Sequence, residues 1–305
     1  MKIRTDLTHS LLRMAAAAGV AIPGVLLAQP SAHYVPGIEG IKAASLPPPG
    51  IYLRDYNVAY YSDTLNDARG NKIDGLEAEA FIYANVPRLV WITDAQVLGG
   101  YLGVDALLPL QYTDLEVKAN RNTLFDDDTF GIGDFFVEGT WSKHIQQFDF
   151  SLGYGIWAPT GDSSPRLTTR AGLGYWAHMF TAGVTYYTDP DKKCAISVLN
   201  RYEINHEKYE TDITPGQAYT LEYGISYSVA PTVDLGVAGY YQEQVTEDRG
   251  WNAGDERDRV AGIGPEFSVA YPDYMLSWSF RYAYEFLAES RFQGHTFALT
   301  LTKRF

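Results

Sequence analysis

The sequence predicts an all-β protein, a transmembrane antiparallel β-barrel of the bacterial outer membrane with about twelve strands, or fourteen as the alternative. Three observations predict it: an export signal, alternation of apolar and polar residues along most of the remaining chain, and a final strand that ends in an aromatic residue. The apolar face is rich in Tyr and Trp, whereas the core of a soluble sandwich would carry aliphatic residues. The pattern therefore favours a membrane barrel over a periplasmic sandwich.

Residues 1–28 have the layout of a secretory signal peptide. Three basic residues precede an apolar run from Met14 to Ala28, and polar Gln29 follows. The run is too short to span a bilayer as a helix. The alternative is a buried N-terminal helix, which Gly19 and Pro23 disfavour. We therefore expect export and removal of these residues.

The composition of the remaining chain excludes several classes of protein. Without residues 1–28 it has 21 basic and 36 acidic residues, a formal charge of −15, which disfavours binding to nucleic acid. Cys194 is the single cysteine, so no intramolecular disulfide can form. No apolar run is long enough for a transmembrane helix. A closed, hydrogen-bonded sheet would stabilise such an exported chain.

Residues 29–50 are rich in proline and glycine, which disfavours both a helix and a membrane strand. We interpret them as an arm on the periplasmic side or as a plug inserted into the lumen. A flexible leader is the remaining alternative. The barrel itself is expected over residues 51–305.

Alternation with a period of two predicts the strands, as in Tyr219–Val229, where Tyr, Leu, Ile and Val at odd positions alternate with small or polar residues. Pro109 divides the segment 97–119, and we treat this segment as one kinked strand because single-chain bacterial barrels have even strand numbers. The predicted strands are 51–62, 76–87, 97–119, 132–144, 147–158, 174–188, 193–205, 217–230, 232–245, 259–271, 274–287 and 295–305.

Short turns and long polar loops alternate between these strands, as in barrels that place short turns in the periplasm and long loops outside. The long loops are expected at about 120–131, 159–173, 206–216, 246–258 and 288–294.

Strand parity directs a set of polar residues into the lumen. These charges and amides either pair across the barrel and stiffen it, or line a path for a solute. The lumen candidates are Asp134, Glu138, Asp149, Arg201, Glu203, Glu222, Asp234, Gln242, Glu266, Arg281 and Glu285.

The last strand places Phe297, Leu299, Leu301 and Phe305 on one face. A terminal aromatic residue on such a strand resembles the signal that the barrel-assembly machinery reads in the outer membrane. The alternative is an ordinary edge strand that happens to end at Phe. The expected surroundings of this face are outer-membrane lipid and lipopolysaccharide.

Several short strings occur in a characteristic order along the chain. They are His33-Tyr34-Val35-Pro36-Gly37, Pro47-Pro48-Pro49-Gly50-Ile51-Tyr52, Gly131-Ile132-Gly133-Asp134, Ala158-Pro159-Thr160-Gly161-Asp162, Gly239-Tyr240-Tyr241 followed by Gln244, and Ile263-Gly264-Pro265-Glu266. Together they resemble the outer-membrane transporters of the phenol meta-pathway degradation family. The resemblance implies an outer-membrane barrel that takes up hydrophobic or aromatic compounds.

The sequence lacks the motifs of the common enzyme classes, such as Gly-x-Ser-x-Gly, His-Glu-x-x-His or a phosphate-binding glycine loop. The six histidines lie on separate predicted elements, without the spacing of metal ligands. We therefore expect no enzyme activity, no cofactor and no metal. The leading hypothesis is a channel for passive uptake of small hydrophobic or aromatic solutes. The alternatives are a structural or surface-interaction barrel with acidic loops such as Asp126–Asp128, and a hydrolase embedded in the barrel.

Overall fold

Fourteen strands make up a single antiparallel sheet in the computed structural model, which describes residues 32–163, 169–209, 211–251, 253–254 and 256–305. The predicted signal peptide lies outside these residues. A short 3-10 helix at Pro272–Tyr274 connects two strands. The strands are β1 Gly50–Ser62, β2 Leu76–Val97, β3 Gly100–Leu107, β4 Leu110–Ala119, β5 Asn122–Ile132, β6 Phe135–Ile145, β7 Phe148–Ala158, β8 Ala177–Tyr187, β9 Cys194–Asn205, β10 Ala218–Ala230, β11 Val233–Gln244, β12 Arg259–Tyr271, β13 Leu276–Glu289 and β14 His295–Arg304.

The sheet closes on itself because β1 pairs with both β14 and β2. The long strand β2 pairs first with β4, along Leu76–Asn85, and then with β3, along Arg88–Val97. In the same way β3 pairs with β6, and β4 pairs with β5. Thus β3 and β4 are consecutive segments of one interrupted strand, and β5 and β6 are likewise segments of another. The barrel has twelve strand positions, with the β4–β5 hairpin as an extension, and the predicted fold class is confirmed.

Pro109 explains the interruption between β3 and β4. Proline has no N–H to donate to a neighbouring strand, so a regular ladder breaks there. Its carbonyl oxygen instead accepts a hydrogen bond of 2.8 Å from the amide of Gly133, at the matching break between β5 and β6. The kinked strand predicted over 97–119 therefore corresponds to β3 and β4 together.

Two parts of the predicted layout were wrong. Residues 88–96 were expected in a connection, but they form the second half of β2. The strand was missed because Val90 and Ile92 are apolar on the inner face, so apolar and polar residues do not alternate there. Residues 120–131 were expected in a loop, but they form most of β5. β5 pairs with β4 alone, in the extension of the barrel. Its outer face is not required to be apolar there, and the prediction of strands depended on an apolar face.

The two ends of the barrel differ in their connections. Turns at 98–99, 146–147, 188–193, 231–232 and 272–275 lie at the end where β1 begins and β14 finishes. The longer connections and the β4–β5 hairpin lie at the opposite end. This arrangement is that of outer-membrane barrels, which place their short turns in the periplasm. Among the described residues, no helix has the length and apolar content needed to cross a membrane.

Exposure alternates along the strands as the register requires. On β10, Ile225, Tyr227 and Val229 are exposed on the outer surface, whereas Glu222 and Ser226 are buried inside. On β14, Phe297, Leu299 and Leu301 are exposed as well, and the side chain of Phe305 is 68% exposed. The outer surface is thus a broad apolar band. That the assembly machinery reads this last strand stays a prediction.

Ile225→Arg should destabilise the barrel because the new guanidinium would lie in the middle of the apolar band. The expected loss is about 2–4 kcal/mol of unfolding free energy at mid-membrane, against about 0–1 kcal/mol near the interface. Val229→Arg is the matched control, since Val229 is similarly exposed, at 53% against 58%, but lies beside the turn at the end of β10. Denaturant unfolding in lipid vesicles measures both variants. Equal stability of Ile225→Arg and the unsubstituted protein would contradict the register.

Candidate functional site

The N-terminal segment, residues 32–49, lies inside the barrel and contacts widely separated strands. The His33 ring meets Glu203 of β9 at 2.8 Å. Lys42 meets Asp234 of β11 at 2.7 Å, and the hydroxyl of Ser45 donates to Asp149 of β7 at 2.8 Å. The segment therefore occupies the lumen from His33 to Ser45.

Glycine permits the close approach of this segment to the wall. Gly37 and Gly40 have φ angles of +82° and +84°, a region that favours glycine. A Cβ on Gly37 would lie 2.4 Å from the Tyr240 ring. On the wall, a Cβ on Gly224 would lie 2.6 Å from the Cα of Ile41. The segment thus carries glycine where it meets side chains of the wall, and the wall carries glycine where it meets the backbone of the segment.

The carboxylate of Glu39 is the centre of the polar network. It accepts hydrogen bonds from Arg54 at 2.9 Å, Arg88 at 2.8 Å and Arg201 at 3.0 Å. The Tyr56 hydroxyl donates to it at 3.2 Å. The Glu39 side chain is only 4% exposed, and a buried carboxylate is tolerated when it is paired and hydrogen-bonded in this way.

Arg88 connects this centre to the wall. Its guanidinium holds Asp105 of β3 with two hydrogen bonds, of 2.8 and 2.9 Å, and reaches Glu138 of β6 at 3.1 Å. Paired, parallel bonds to a carboxylate are among the strongest hydrogen bonds in proteins. One side chain on β2 therefore ties two further strand positions to Glu39 of the segment.

Glu222 accepts hydrogen bonds from the backbone and from one side chain of the N-terminal segment. Its carboxylate accepts hydrogen bonds from the Tyr34 hydroxyl, from the Gly37 amide at 2.9 Å and from the Glu39 amide at 3.1 Å. Glu222 is buried, so these donors compensate for the water that the carboxylate has lost.

His33 is held between two acidic residues near the long loops. Its backbone amide donates to Glu203 at 2.9 Å, and its Nε2 lies 3.2 Å from Asp134. Asp134 also accepts hydrogen bonds from the amides of Gly161 at 2.9 Å and Leu173 at 2.7 Å. The start of the segment is thus connected to the loop between β7 and β8.

Glu266 and Arg281 hold the middle of the segment. Glu266 accepts from the Ile41 amide at 3.0 Å and pairs with Arg281 at 3.2 Å. Arg281 in turn donates to the carbonyl oxygen of Ile38 at 2.9 Å. The gap between this part of the segment and the wall has no room for a water molecule.

An apolar and aromatic cluster fills the lumen beside the polar network. The Tyr34 ring lies in this cluster, and the guanidinium of Arg201 is stacked 4.0 Å from its centre. The His33 ring stacks on Trp157 at 5.1 Å. The buried members of the cluster are Tyr34, Leu107, Phe136, Trp157, Tyr175, Ala177 and Met179.

Lys208, in the connection between β9 and β10, lies 5.8 Å from the ring centre of Tyr175. Burial and the neighbouring charge of Arg170 lower the pKa of Lys208 to about 8. The long-loop end of the cluster is therefore covered by a partly buried amine.

The eleven lumen candidates from the sequence all lie on the inner side of the wall. Ten are buried and Asp234 is half-buried. Glu138 bonds to Arg88 and Thr181, and Glu285 accepts from Tyr60, Tyr240 and Gly294. The other nine contact the N-terminal segment: Asp134, Asp149, Arg201, Glu203, Glu222, Asp234, Gln242, Glu266 and Arg281.

Sequence reasoning missed the centre of the network, namely Glu39, Arg54, Arg88 and Asp105. Arg88 was assigned to a connection, so its direction was not predicted. The exposed residues Leu89 and Trp91 carried the necessary signal, because their parity places Arg88 on the inner face.

The wall of the lumen is acidic. Its buried charged residues, among those described, are eight acidic ones (Asp105, Asp134, Glu138, Asp149, Glu203, Glu222, Glu266 and Glu285) and three basic ones (Arg88, Arg201 and Arg281). The buried residues of the wall therefore carry a net negative charge. A narrow channel lined mainly by one sign of charge attracts ions of the opposite sign.

Comparison with known proteins agrees with this architecture. An outer-membrane channel from Pseudomonas putida F1 superposes with a TM-score of 0.76 at 14% identity, over 90% of this chain and 100% of that chain. The β domain of the Bordetella autotransporter BrkA gives a TM-score of 0.50 at 10% identity, over 84% and 99%. At these identities the similarity shows the fold. No curated protein sequence matches significantly.

The family model described as "Putative MetA-pathway of phenol degradation" matches residues 62–301, well over half of the chain. The resemblance seen in the sequence is confirmed, as is location in the outer membrane of a Gram-negative bacterium. The chain therefore belongs to the family described as "Putative MetA-pathway of phenol degradation" and folds as an outer-membrane β-barrel.

Proposed function

We propose that this protein is an outer-membrane channel for the passive uptake of small hydrophobic compounds, chiefly aromatic ones. The N-terminal segment closes the lumen, and its displacement opens the path. The observation that carries the proposal is that a terminal segment, held by non-covalent contacts alone, fills the barrel from His33 to Ser45. Such contacts form and break reversibly, so the same wall can hold the segment or admit a solute.

The size and lining of the barrel support this substrate class. A twelve-strand barrel lies between small barrels filled by side chains and the open porins of sixteen to eighteen strands. Its lumen contains aromatic rings, including Phe136, Trp157 and Tyr175, which can stack on an aromatic solute. The family description, which names phenol degradation, agrees with an aromatic solute.

A reversible lock tests the proposal directly. The Ala44 amide donates to the Ser197 hydroxyl at 3.1 Å, so the two residues are in contact and are the positions chosen for a disulfide between segment and wall. The variant combines Ala44→Cys and Ser197→Cys with Cys194→Ser, which removes the native thiol. Cells that lack the native protein receive this variant or the unsubstituted protein. Initial uptake of a radiolabelled monocyclic aromatic compound is then measured at low concentration.

We expect oxidised cells with the paired cysteines to take up the compound no faster than cells without the protein. A reductant should restore uptake to that of the unsubstituted protein, and succinate uptake should stay constant throughout. If uptake is the same with and without the protein, or is unaffected by the lock, the channel proposal is wrong.

The second candidate is a structural or surface-interaction barrel, favoured by the hairpin of β4 and β5. Asp114 lies opposite Asp128, and Glu116 lies opposite Asp126. Like charges in direct opposition destabilise a hairpin unless a cation or a basic partner neutralises them. This candidate takes the place of the first if the uptake experiment fails. The reported solved structures, a channel and an autotransporter domain, lend no support to the hydrolase alternative.

A further inference from the structure

Tyr34 is the part of the N-terminal segment that most closely resembles a small ligand. Its side chain is a phenol with an alkyl substituent in the para position. The hydroxyl donates to Glu222, and the ring face lies under the Arg201 guanidinium, 4.0 Å from its carbon. The ring is 4% exposed and belongs to the apolar cluster with Phe136 and Trp157. The wall around it thus matches each part of a phenol.

Two groups of the wall, Glu222 and Arg201, lose their partners in the segment when it leaves. The hydrogen bonds described for the Glu222 carboxylate all come from the segment: Tyr34, Gly37 and Glu39 supply them. Arg201 loses both the Tyr34 ring and the Glu39 carboxylate. A molecule that supplies a hydroxyl and an aromatic face restores both kinds of contact and is favoured in place of the segment.

We propose that the Tyr34 site is a receptor for neutral phenols with a small para substituent, and that such a phenol opens the lumen by displacing Tyr34. This inference rests on the proposed channel function and adds the substrate class and the means of opening. The segment then acts as a tethered competitor, which leaves the site when a free phenol takes its place.

The chemistry of the site separates phenols from related compounds. Glu222 can only accept a hydrogen bond when ionised, so a hydrocarbon such as toluene lacks the required donor. An anion such as 4-methylbenzoate is repelled by Glu222 and by the excess of acidic residues on the wall. The para position is the point at which Tyr34 itself joins the chain. The probe that fits is 4-methylphenol.

The first experiment removes the tethered competitor. Calorimetric titration in detergent compares 4-methylphenol, toluene and 4-methylbenzoate on Tyr34→Ala, Tyr34→Phe and the unsubstituted protein. In Tyr34→Ala, 4-methylphenol should bind about tenfold or more tightly than toluene, as expected for a hydrogen bond to a charged acceptor. It should also bind more tightly to Tyr34→Ala than to the unsubstituted protein, whose site is occupied. Tyr34→Phe keeps the ring in place and should show no gain.

The second experiment keeps Tyr34 and measures its displacement. Ala44 is 1% exposed, so a cysteine there reacts with a soluble thiol reagent only when the segment moves. In an Ala44→Cys, Cys194→Ser variant, 4-methylphenol should accelerate labelling in a saturable manner, whereas toluene and 4-methylbenzoate at equal concentration should not. Equal acceleration by toluene, or none by 4-methylphenol, would overturn the proposal, even if Tyr34→Ala fails to fold.

These readouts do not depend on transport. If 4-methylphenol binds and releases the segment while uptake is absent, the receptor site stands and the channel function fails. If uptake occurs but the three probes bind and label alike, the channel function stands and the receptor proposal is overturned.

Discussion

Deletion of residues 33–46 is expected to convert a closed barrel into a pore that conducts steadily and favours cations. The deleted residues include Tyr34, Glu39 and Lys42, whose side chains contact the wall of the lumen. Without them, water and ions can occupy the space between the strands, and the acidic wall determines which ions enter. Electrostatic focusing in such a channel should make cation permeability about tenfold higher than anion permeability.

Planar-bilayer recording measures both effects, the conductance in symmetric salt and the reversal potential across a salt gradient. A matched control removes Arg69 and Gly70 from the connection between β1 and β2, which shortens a loop without touching the lumen. That control should conduct as the intact protein does. An unchanged conductance after deletion of 33–46 would show that the segment does not close the barrel. A preference for anions would contradict the role assigned to the acidic wall.

Arg88→Met is expected to be the most destabilising single substitution proposed for the barrel. Removing this guanidinium takes away the cation that Asp105 and Glu138 bind, while Glu39 keeps Arg54 and Arg201. Removing one member of a buried ion pair typically costs about 3–5 kcal/mol, because the remaining charge stays desolvated. Denaturant unfolding in vesicles should show a loss of this size.

Arg54→Met is the matched control for Arg88→Met, since Arg54 also pairs with Glu39 but its side chain is 31% exposed. Its loss should cost about 1–2 kcal/mol, the net worth of one hydrogen bond, because Glu39 keeps Arg88 and Arg201 as partners. Adding Asp105→Leu to Arg88→Met should recover part of the stability, because both members of one buried pair are then apolar. If Arg88→Met unfolds at the same denaturant concentration as the unsubstituted protein, the network does not stabilise the barrel.

Local patterns were sufficient for the strands that face lipid. Along β10 and β13, an apolar outer face alternates with a polar inner face, so the period of two reveals both the strand and its register. The pattern was insufficient at β2 and β5, for opposite reasons. Residues 89–92 of β2 are apolar on both faces, and β5 carries acidic residues while pairing with only one strand.

The partners of the lumen residues were not predictable from the sequence. Parity directed Glu203, Glu222 and Glu266 inward, but the donors that they bind come from a segment more than 160 residues away in the chain. Proline and glycine in that segment excluded a helix and a strand without choosing between an arm and a plug. The positive φ angles of Gly37 and Gly40, and the side chains that these two residues approach, are visible only in the folded structure.

The sequence by itself determined the fold class, the orientation of most strands and a set of polar residues that face inward, because these follow from residue alternation within single strands. The tertiary structure alone decided which charges meet, that Glu39 lies among three arginines, and that Tyr34 lies between Glu222 and Arg201. The physical reason is that alternation is a property of neighbouring residues. A network inside a closed barrel depends instead on where distant strands and the N-terminal segment are brought together by closure of the sheet.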